Sequence, residues 1–228
     1  MPKQPNTEIP RWASRDWVPV WDPIVRIGHW TLVAAFFTAY FTEDDFLSAH
    51  VWAGYIVGAV VLLRIVWGVI GSRHARFADF IYSPAAAVRY IKGLATGRAP
   101  RYLGHTPAGG WMILALLAML GGTVYTGLEL YAIEENAGPL ANGEVLDAGR
   151  RPEWIATAAA HEDRDRERED DEREKRHRAS EEFWEELHEM LANLTLLLVV
   201  LHIGGVIASS LAHRENLVMA MLTGRKRT

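Results

Sequence analysis

Four apolar runs, Ile24–Phe41, Val51–Ile70, Trp111–Leu128 and Met190–Leu211, limit what this chain can fold into more than any other feature. Each is about 18 to 22 residues long, enough for an α-helix to cross the roughly 30 Å of hydrocarbon in a bilayer. Inside hydrocarbon every backbone N–H and C=O must be paired within the segment, so such runs form helices rather than loops or open strands. The chain is read as an all-α integral membrane protein with four spans. Its averages conceal this, because 228 residues with half of them apolar and a formal net charge of −4 describe an ordinary soluble domain. Charge and apolarity are segregated along the sequence, and the segregation carries the reading.

The last span holds two histidines, His188 and His202, fourteen residues apart in Glu185–His213. At about 100° and 1.5 Å per residue, fourteen steps return the side chain to within roughly 40° of its starting direction and about 21 Å further along. The two imidazoles share one face at two depths, and Met190–Leu201 between them has no ionisable side chain. A helix serving two stacked haems needs this arrangement. There is no cysteine, which excludes disulfides, iron–sulfur clusters, thiolate ligation and covalent c-type haem attachment. Any haem is non-covalent and held by His or Met.

Orientation follows from Lys and Arg in the segments flanking the spans. Basic residues gather in Met1–Arg26, in the link from span two to span three (Arg73, Arg76, Arg89, Lys92, Arg98, Arg101) and in the tail (Arg214, Arg225, Lys226, Arg227). These face the cytoplasm, and both termini are predicted inside. On the opposite side lie Thr42–Ala49, with Glu43, Asp44 and Asp45, and the long link Ile133–Phe183, with sixteen acidic and nine basic residues. The N-terminal segment has Trp12, Trp17, Trp21, Pro19 and Pro23 and suits an extended stretch at the interface. It lacks a signal peptide's apolar core and small-residue cleavage site, so span one is expected to be an uncleaved anchor.

With the topology set by Lys and Arg, the histidines fall at matching depths. His29 opens span one on the inner side and His50 opens span two on the outer side, while span four brings His188 to the outer level and His202 to the inner. The levels pair His50 with His188 and His29 with His202. A lone histidine at a span end is more often interfacial than a ligand, but four at two matching levels are not explained that way. Two axial imidazoles on one iron leave no open position for oxygen and suit single-electron transfer. His74, His105, His161, His177 and His213 lie in loops or past span ends and are read as solvated or interfacial.

Arg64 stands inside span two, fourteen residues after His50, where a charge is costly unless it meets a partner. It points to nearly the face of His50 one level deeper, where propionates or the ring edge of an inner haem would lie; the plainer reading is a snorkelling arginine. Gly28, Gly54, Gly58, Gly121, Gly122, Gly204 and Gly205 would admit a flat macrocycle or a second backbone, and Gly54–Gly58 is also a small-xxx-small pairing pattern. Ser83–Lys92 reads as a short amphipathic surface helix with Pro84 in its first turn.

Several stretches together resemble the bacterial cytochrome b-561 and nickel–iron hydrogenase di-haem cytochrome b family. They are His29 in RIGHW, His50 in SAHVWAGY, the loop SRHARFADFIYSP, YLGHTPAGGWM opening span three, LHEMLAN and LHIGGVIASS in span four, and the closing HRENLVMAMLTGRKR. The resemblance covers about Trp21 to Lys226 apart from the charged insert. It implies a four-helix bundle with two b haems, His29–His202 and His50–His188 as the iron ligands, and electron exchange with quinones. The insert departs from the family's pattern. From Ala159 it alternates acids and bases with many i to i+4 opposite-charge pairs, which suits a solvated helix continuous with span four, and its net acidity suits docking of a basic periplasmic c-type cytochrome. Ile133–Ala158, with Pro139, Pro152 and several glycines, reads as an irregular loop.

The expected organisation is a cytoplasmic segment 1–23, three spans with an inner loop over 24–132, a charged outer insert 133–183, and the fourth span with a cytoplasmic tail over 184–228. The expected function is electron transfer across a bacterial inner membrane between a quinone pool and a redox partner, in contact with lipid. No acid–base or nucleophilic constellation appears, so enzymatic turnover would rest on the quinone itself. Arg26 and Trp30, beside the inner level, are candidate quinone neighbours. Alternatives are an anchor and electron conduit for a hydrogenase or dehydrogenase complex, and a haem-free transporter or adaptor. A homodimer is left open, and no nucleic acid partner is expected.

Overall fold

The computed structural model describes residues 17–43, 46–141 and 162–227. Among them are six α-helices: α1 Pro23–Phe41, α2 Leu47–Ile70, α3 Pro84–Ala95, α4 Pro107–Glu134, α5 Glu162–His213 and α6 Leu217–Thr223. Three begin in the same way, with a polar cap followed by proline at the first helical position, where its missing N–H costs nothing. Asp22 accepts from Val25 N at 2.9 Å, Ser83 from Ala86 N at 3.3 Å and Thr106 from Gly109 N at 3.0 Å. Four helical stretches are long and apolar enough to cross a membrane: α1, α2, α4 and the Glu174–His213 part of α5. The spans expected from the sequence are these helices, each running somewhat past its apolar run.

Close backbone packing goes from α1 to α2, from α2 to α4 and from α4 to α5. Side chains close the bundle, since Tyr40 Oη on α1 donates to Asn193 Oδ1 on α5 at 3.0 Å and histidines of α1 and α2 face those of α5. The densest core is a middle layer of Ala35, Phe36, Val57, Val61 and Leu120. Thr195, fully buried and midway between His188 and His202, lies at the same depth and returns its hydroxyl to Leu191 O at 2.7 Å. This layer separates the two histidine levels.

At one end of the bundle the first and last described segments meet. Strand β1 (Trp17–Pro19) pairs antiparallel with β2 (Arg225–Arg227), Val18 opposite Lys226. The turn into β2 needs a left-handed residue, supplied by Gly224 at φ 78°, whose carbonyl accepts from Val20 N and Trp21 N. Lys226 is only 6% exposed, with Nζ 3.3 Å from Tyr102 O, and Glu215 pairs with Arg101. Burial lowers the Lys226 pKa, against the pull of Glu215. The N-terminal segment, expected to be merely extended, is thus tied into a sheet from Trp17 onward. The part before Trp17, Asp44 and Asp45 in the short outer link, and residues 142–161 of the expected irregular loop, His161 among them, lie outside the described residues.

On the same end, α3 is the amphipathic helix expected over Ser83–Lys92, and it packs on α4 and α5. The link before it forms a turn at Phe77–Asp79 seated by two glycines. A Cβ on Gly68 would fall within the Phe77 ring, and one on Gly110 would fall on the Phe80 carbonyl. Phe80 is 2% exposed. The charged stretch before the last span is helical and continuous with it in α5, as its i to i+4 pattern implied, with exposed pairs such as Arg178–Glu174.

Candidate functional site

The four histidines singled out in the sequence come together as two facing pairs, one at each end of the bundle. The ring centroids of His50 and His188 are 6.0 Å apart and those of His29 and His202 are 6.5 Å apart. The His50 and His188 rings meet edge-to-face and the His29 and His202 rings are tilted, at separations that would leave room for a metal ion between them. With a metal–nitrogen bond of about 2.0 Å and a nitrogen-to-centroid distance of about 1.1 Å on each side, the expected separation is about 6.2 Å.

The pair His50 and His188, at the level the sequence leads one to expect on the outside and called the outer pair for that reason, is oriented by hydrogen bonds. His50 Nδ1 is 2.9 Å from Ala39 O, a carbonyl that can only accept, so Nδ1 carries the proton. His188 Nδ1 lies 3.0 Å from Thr126 Oγ1, whose own hydroxyl donates to Thr123 O at 3.0 Å and so accepts from the imidazole. In both rings Nε2 is left with its lone pair, the state that binds a metal. Gly127 lets the second ring in, for a Cβ there would stand 2.8 Å from His188 Cε1. Around the pair is a cleft with about 90 Å³ of space. Its walls include Gly54, Leu120 and Val124, and Cβ atoms on Gly54 or Gly121 would meet nothing within 4 Å. Most of its lining is apolar, with Glu43 among it.

The inner pair is held differently. His29 Nδ1 is buried without a hydrogen-bond partner among the described residues, and its ring makes an edge contact with Trp30 at 5.2 Å. Arg64 is in the vicinity, with its guanidinium carbon 5.2 Å from the Phe77 centroid and 5.7 Å from that of Phe80, and its Nη1 is buried and unpaired. Arg26, a candidate quinone neighbour in the sequence, donates instead to Leu222 O and to Met221 O at 3.3 Å, closing the end of α6. Trp30 is half-exposed.

The structure corrects the sequence reading of His105 as solvated or interfacial. Its ring is wedged between Trp21 and Phe80, at centroid distances of 4.5 and 4.4 Å, and its Nδ1 is buried without a partner. Burial first, then the nearby Arg64 and Lys226, push its pKa down to about 3, so it is neutral. His213 likewise turns inward, with Nε2 3.4 Å from Tyr90 Oη. Sequence position marked both as loop or terminal residues, and only the folding of the inner link and tail over the bundle buries them.

Together these features define a class: a multi-span helical membrane protein with paired histidines at two depths. No cluster of three or more His, Asp or Glu suited to a bare metal ion occurs among the described residues. The chain belongs to the prokaryotic cytochrome b561 family, whose profile matches residues 20–224. Comparison with curated proteins and with solved structures gave no match. Membership makes this a membrane cytochrome of electron transfer and implies haem b, which sets aside the haem-free transporter or adaptor considered from the sequence.

Proposed function

We propose that the protein carries two b haems, one between His50 and His188 and one between His29 and His202, and that it moves electrons between them across a bacterial inner membrane. The observation behind this is the pair of ring separations, 6.0 and 6.5 Å, at two levels divided by a packed apolar layer. A haem held by these histidine pairs would supply one-electron chemistry. This chain's residues hold and tune that group. Ala39 O and Thr126 Oγ1 fix the tautomer and direction of the outer imidazoles, the glycines make room for the ring, and Arg64 brings a positive charge to the inner level.

The termini and the basic inner link face the cytoplasm in this reading, which rests on the Lys and Arg distribution. The redox partners are a quinone on one side and, on the outside, a c-type cytochrome drawn to the exposed acidic and basic extension of α5. Steering of this kind makes the rate fall with ionic strength. A conduit role within a hydrogenase or dehydrogenase complex uses the same two haems and differs only in the partner.

The test is a pyridine haemochrome assay on detergent-purified protein with a reduced-minus-oxidised spectrum. Two b haems per chain with low-spin spectra are expected. One haem, or a high-spin component open to carbon monoxide in the intact protein, would refute bis-histidine ligation at both levels.

A further inference from the structure

Three buried polar atoms at this end lack partners among the described residues, His29 Nδ1, Arg64 Nη1 and His105 Nδ1, and the last two lie around the same ring, Phe80. Buried polar groups in folded proteins are nearly always hydrogen-bonded, and an unpaired one costs about 1–3 kcal/mol, more when charged. The acidic side chains nearby are otherwise engaged. Asp22 accepts from Val25 N, Trp67 Nε1 and Ser72, Asp79 pairs with Arg76, and Glu215 pairs with Arg101 and Lys226. Among the described residues no carboxylate is left for Arg64 or His105. Asp22 lies close enough to act electrostatically on Arg64 without pairing with it, so the pocket's cation and neutral imidazole have no directly paired anion among the described residues.

The walls of this pocket are built to last. Gly68 and Gly110 admit the link carrying Phe77 and Phe80, and Trp21, fixed by the terminal sheet, covers His105 from the other side. Arg64 lies fourteen residues beyond His50 on α2, as His202 lies fourteen beyond His188 on α5, so the pocket stands at the inner histidine level.

We infer that Arg64 and His105 together form a carboxylate-binding pocket, and that His105 Nδ1–H donates to a propionate of the inner haem beside the Arg64 guanidinium. The inference rests on the proposed di-haem reading and adds to it a residue that no ligation argument requires. An incoming carboxylate pairs both orphaned groups at once, through charge-assisted hydrogen bonds stronger than neutral ones. His105 is thereby a positioning residue that sets the charge compensation at the haem edge without touching the iron.

The test uses redox titration and resonance Raman spectra of purified protein, with His105→Phe and His105→Asn. Phenylalanine retains the packing between Trp21 and Phe80 and removes the donor; asparagine places an amide near the Nδ1 position. With the donor gone the propionate charge is less compensated and an added electron on iron is less favoured. The inner haem's midpoint should fall in His105→Phe, its propionate bending band should move, and the outer haem should not change. His105→Asn should keep both readouts at wild-type values. Unchanged readouts in His105→Phe, or His105→Asn behaving like it, would overturn the inference. If His105→Phe fails to hold the inner haem, His105→Asn decides in the same way. Failure of wild type to bind two haems would instead defeat the di-haem reading, a distinct outcome.

Discussion

Gly127→Ala is the smallest change that tests how the outer site is assembled. A Cβ at this position stands 2.8 Å from His188 Cε1 and 3.2 Å from Nδ1, where ordinary contact begins at 3.4 Å, so the imidazole must retreat by about 0.6 Å. Retreat pulls Nδ1 from Thr126 Oγ1, now at 3.0 Å, and turns Nε2 away from the line to His50. Overpacking of a buried contact costs about 1–3 kcal/mol, and loss of a neutral hydrogen bond about 0.5–1.5 kcal/mol. If the backbone of α4 absorbs part of this, a weakening of the outer haem by roughly 5- to 150-fold remains. Haem per chain, measured after expression at limiting haem, should drop toward one. The low-temperature electron paramagnetic resonance signal of the outer ferric haem should shift or broaden while the inner signal persists. Gly54→Leu is the companion variant, since a Cβ at Gly54 meets no protein atom and the residue lines the same cleft. It should leave thermal stability of the haem-free protein unchanged and still lower outer haem content. Full haem content with an unaltered outer signal in Gly127→Ala would refute the role given to His188.

The other expectations are briefer. His188→Ala should remove the outer haem and leave the inner, and His202→Ala the reverse; a folded variant of either kind that loses both haems would contradict the assignment by level. Arg64→Leu removes a positive charge from the inner level and should lower that haem's midpoint potential in a redox titration, whereas equal potentials in variant and wild type would count against its placement beside the haem edge. Asp22→Ala removes the cap of α1 and the acceptor of Trp67 and Ser72, for a loss of about 0.5–2 kcal/mol at neutral pH, read as a lower melting temperature in detergent. Burial raises the Asp22 pKa, but hydrogen bonds from Ser72, Val25 and Trp67 outweigh it and hold it below 3.8. The stabilisation is therefore present above 3.8 and lost as pH falls through the folded-state value, so the two melting curves should converge in strong acid and stay apart elsewhere.

What the sequence made legible was set by spacing along single helices. Bilayer thickness fixes the length of a span, and helical pitch fixes that His188 and His202 share a face, so both follow from counting residues. The family profile over residues 20–224 agrees with the motifs around His29, His50 and His202. The identity of the inner pocket was not legible, because it depends on where two loops and a tail come to rest. Nothing in YLGHTPAGGWM says that His105 will be pressed between Trp21, 84 residues before it, and Phe80. Nor does the basic closing stretch announce a strand, because Arg225–Arg227 becomes one only by pairing with Trp17–Pro19. Gly127 was passed over for a related reason: among many glycines in apolar helices, only contact across the bundle shows which one makes room for an imidazole.

The same distinction explains why the two sites are built unlike each other. At the His50–His188 level both imidazole tautomers are fixed from within the spans, by a backbone carbonyl of α1 and a hydroxyl of α4, elements that hydrocarbon itself forces into helices. At the inner level His29 Nδ1 has no such support, and the surroundings come from the link before α3, the loop before α4 and the sheet joining the termini. These are segments whose conformation the bilayer does not dictate, which is why two glycines, a buried lysine and three aromatic rings are needed to hold them. The difference in construction follows a difference in charge. The cleft at His50 and His188 is mostly apolar with Glu43 in its lining, whereas at the other end Arg64 and Lys226 lie near His105. Positive charge favours the reduced form of a nearby iron, so in the proposed di-haem reading the part of the fold assembled from loops would set the two potentials apart.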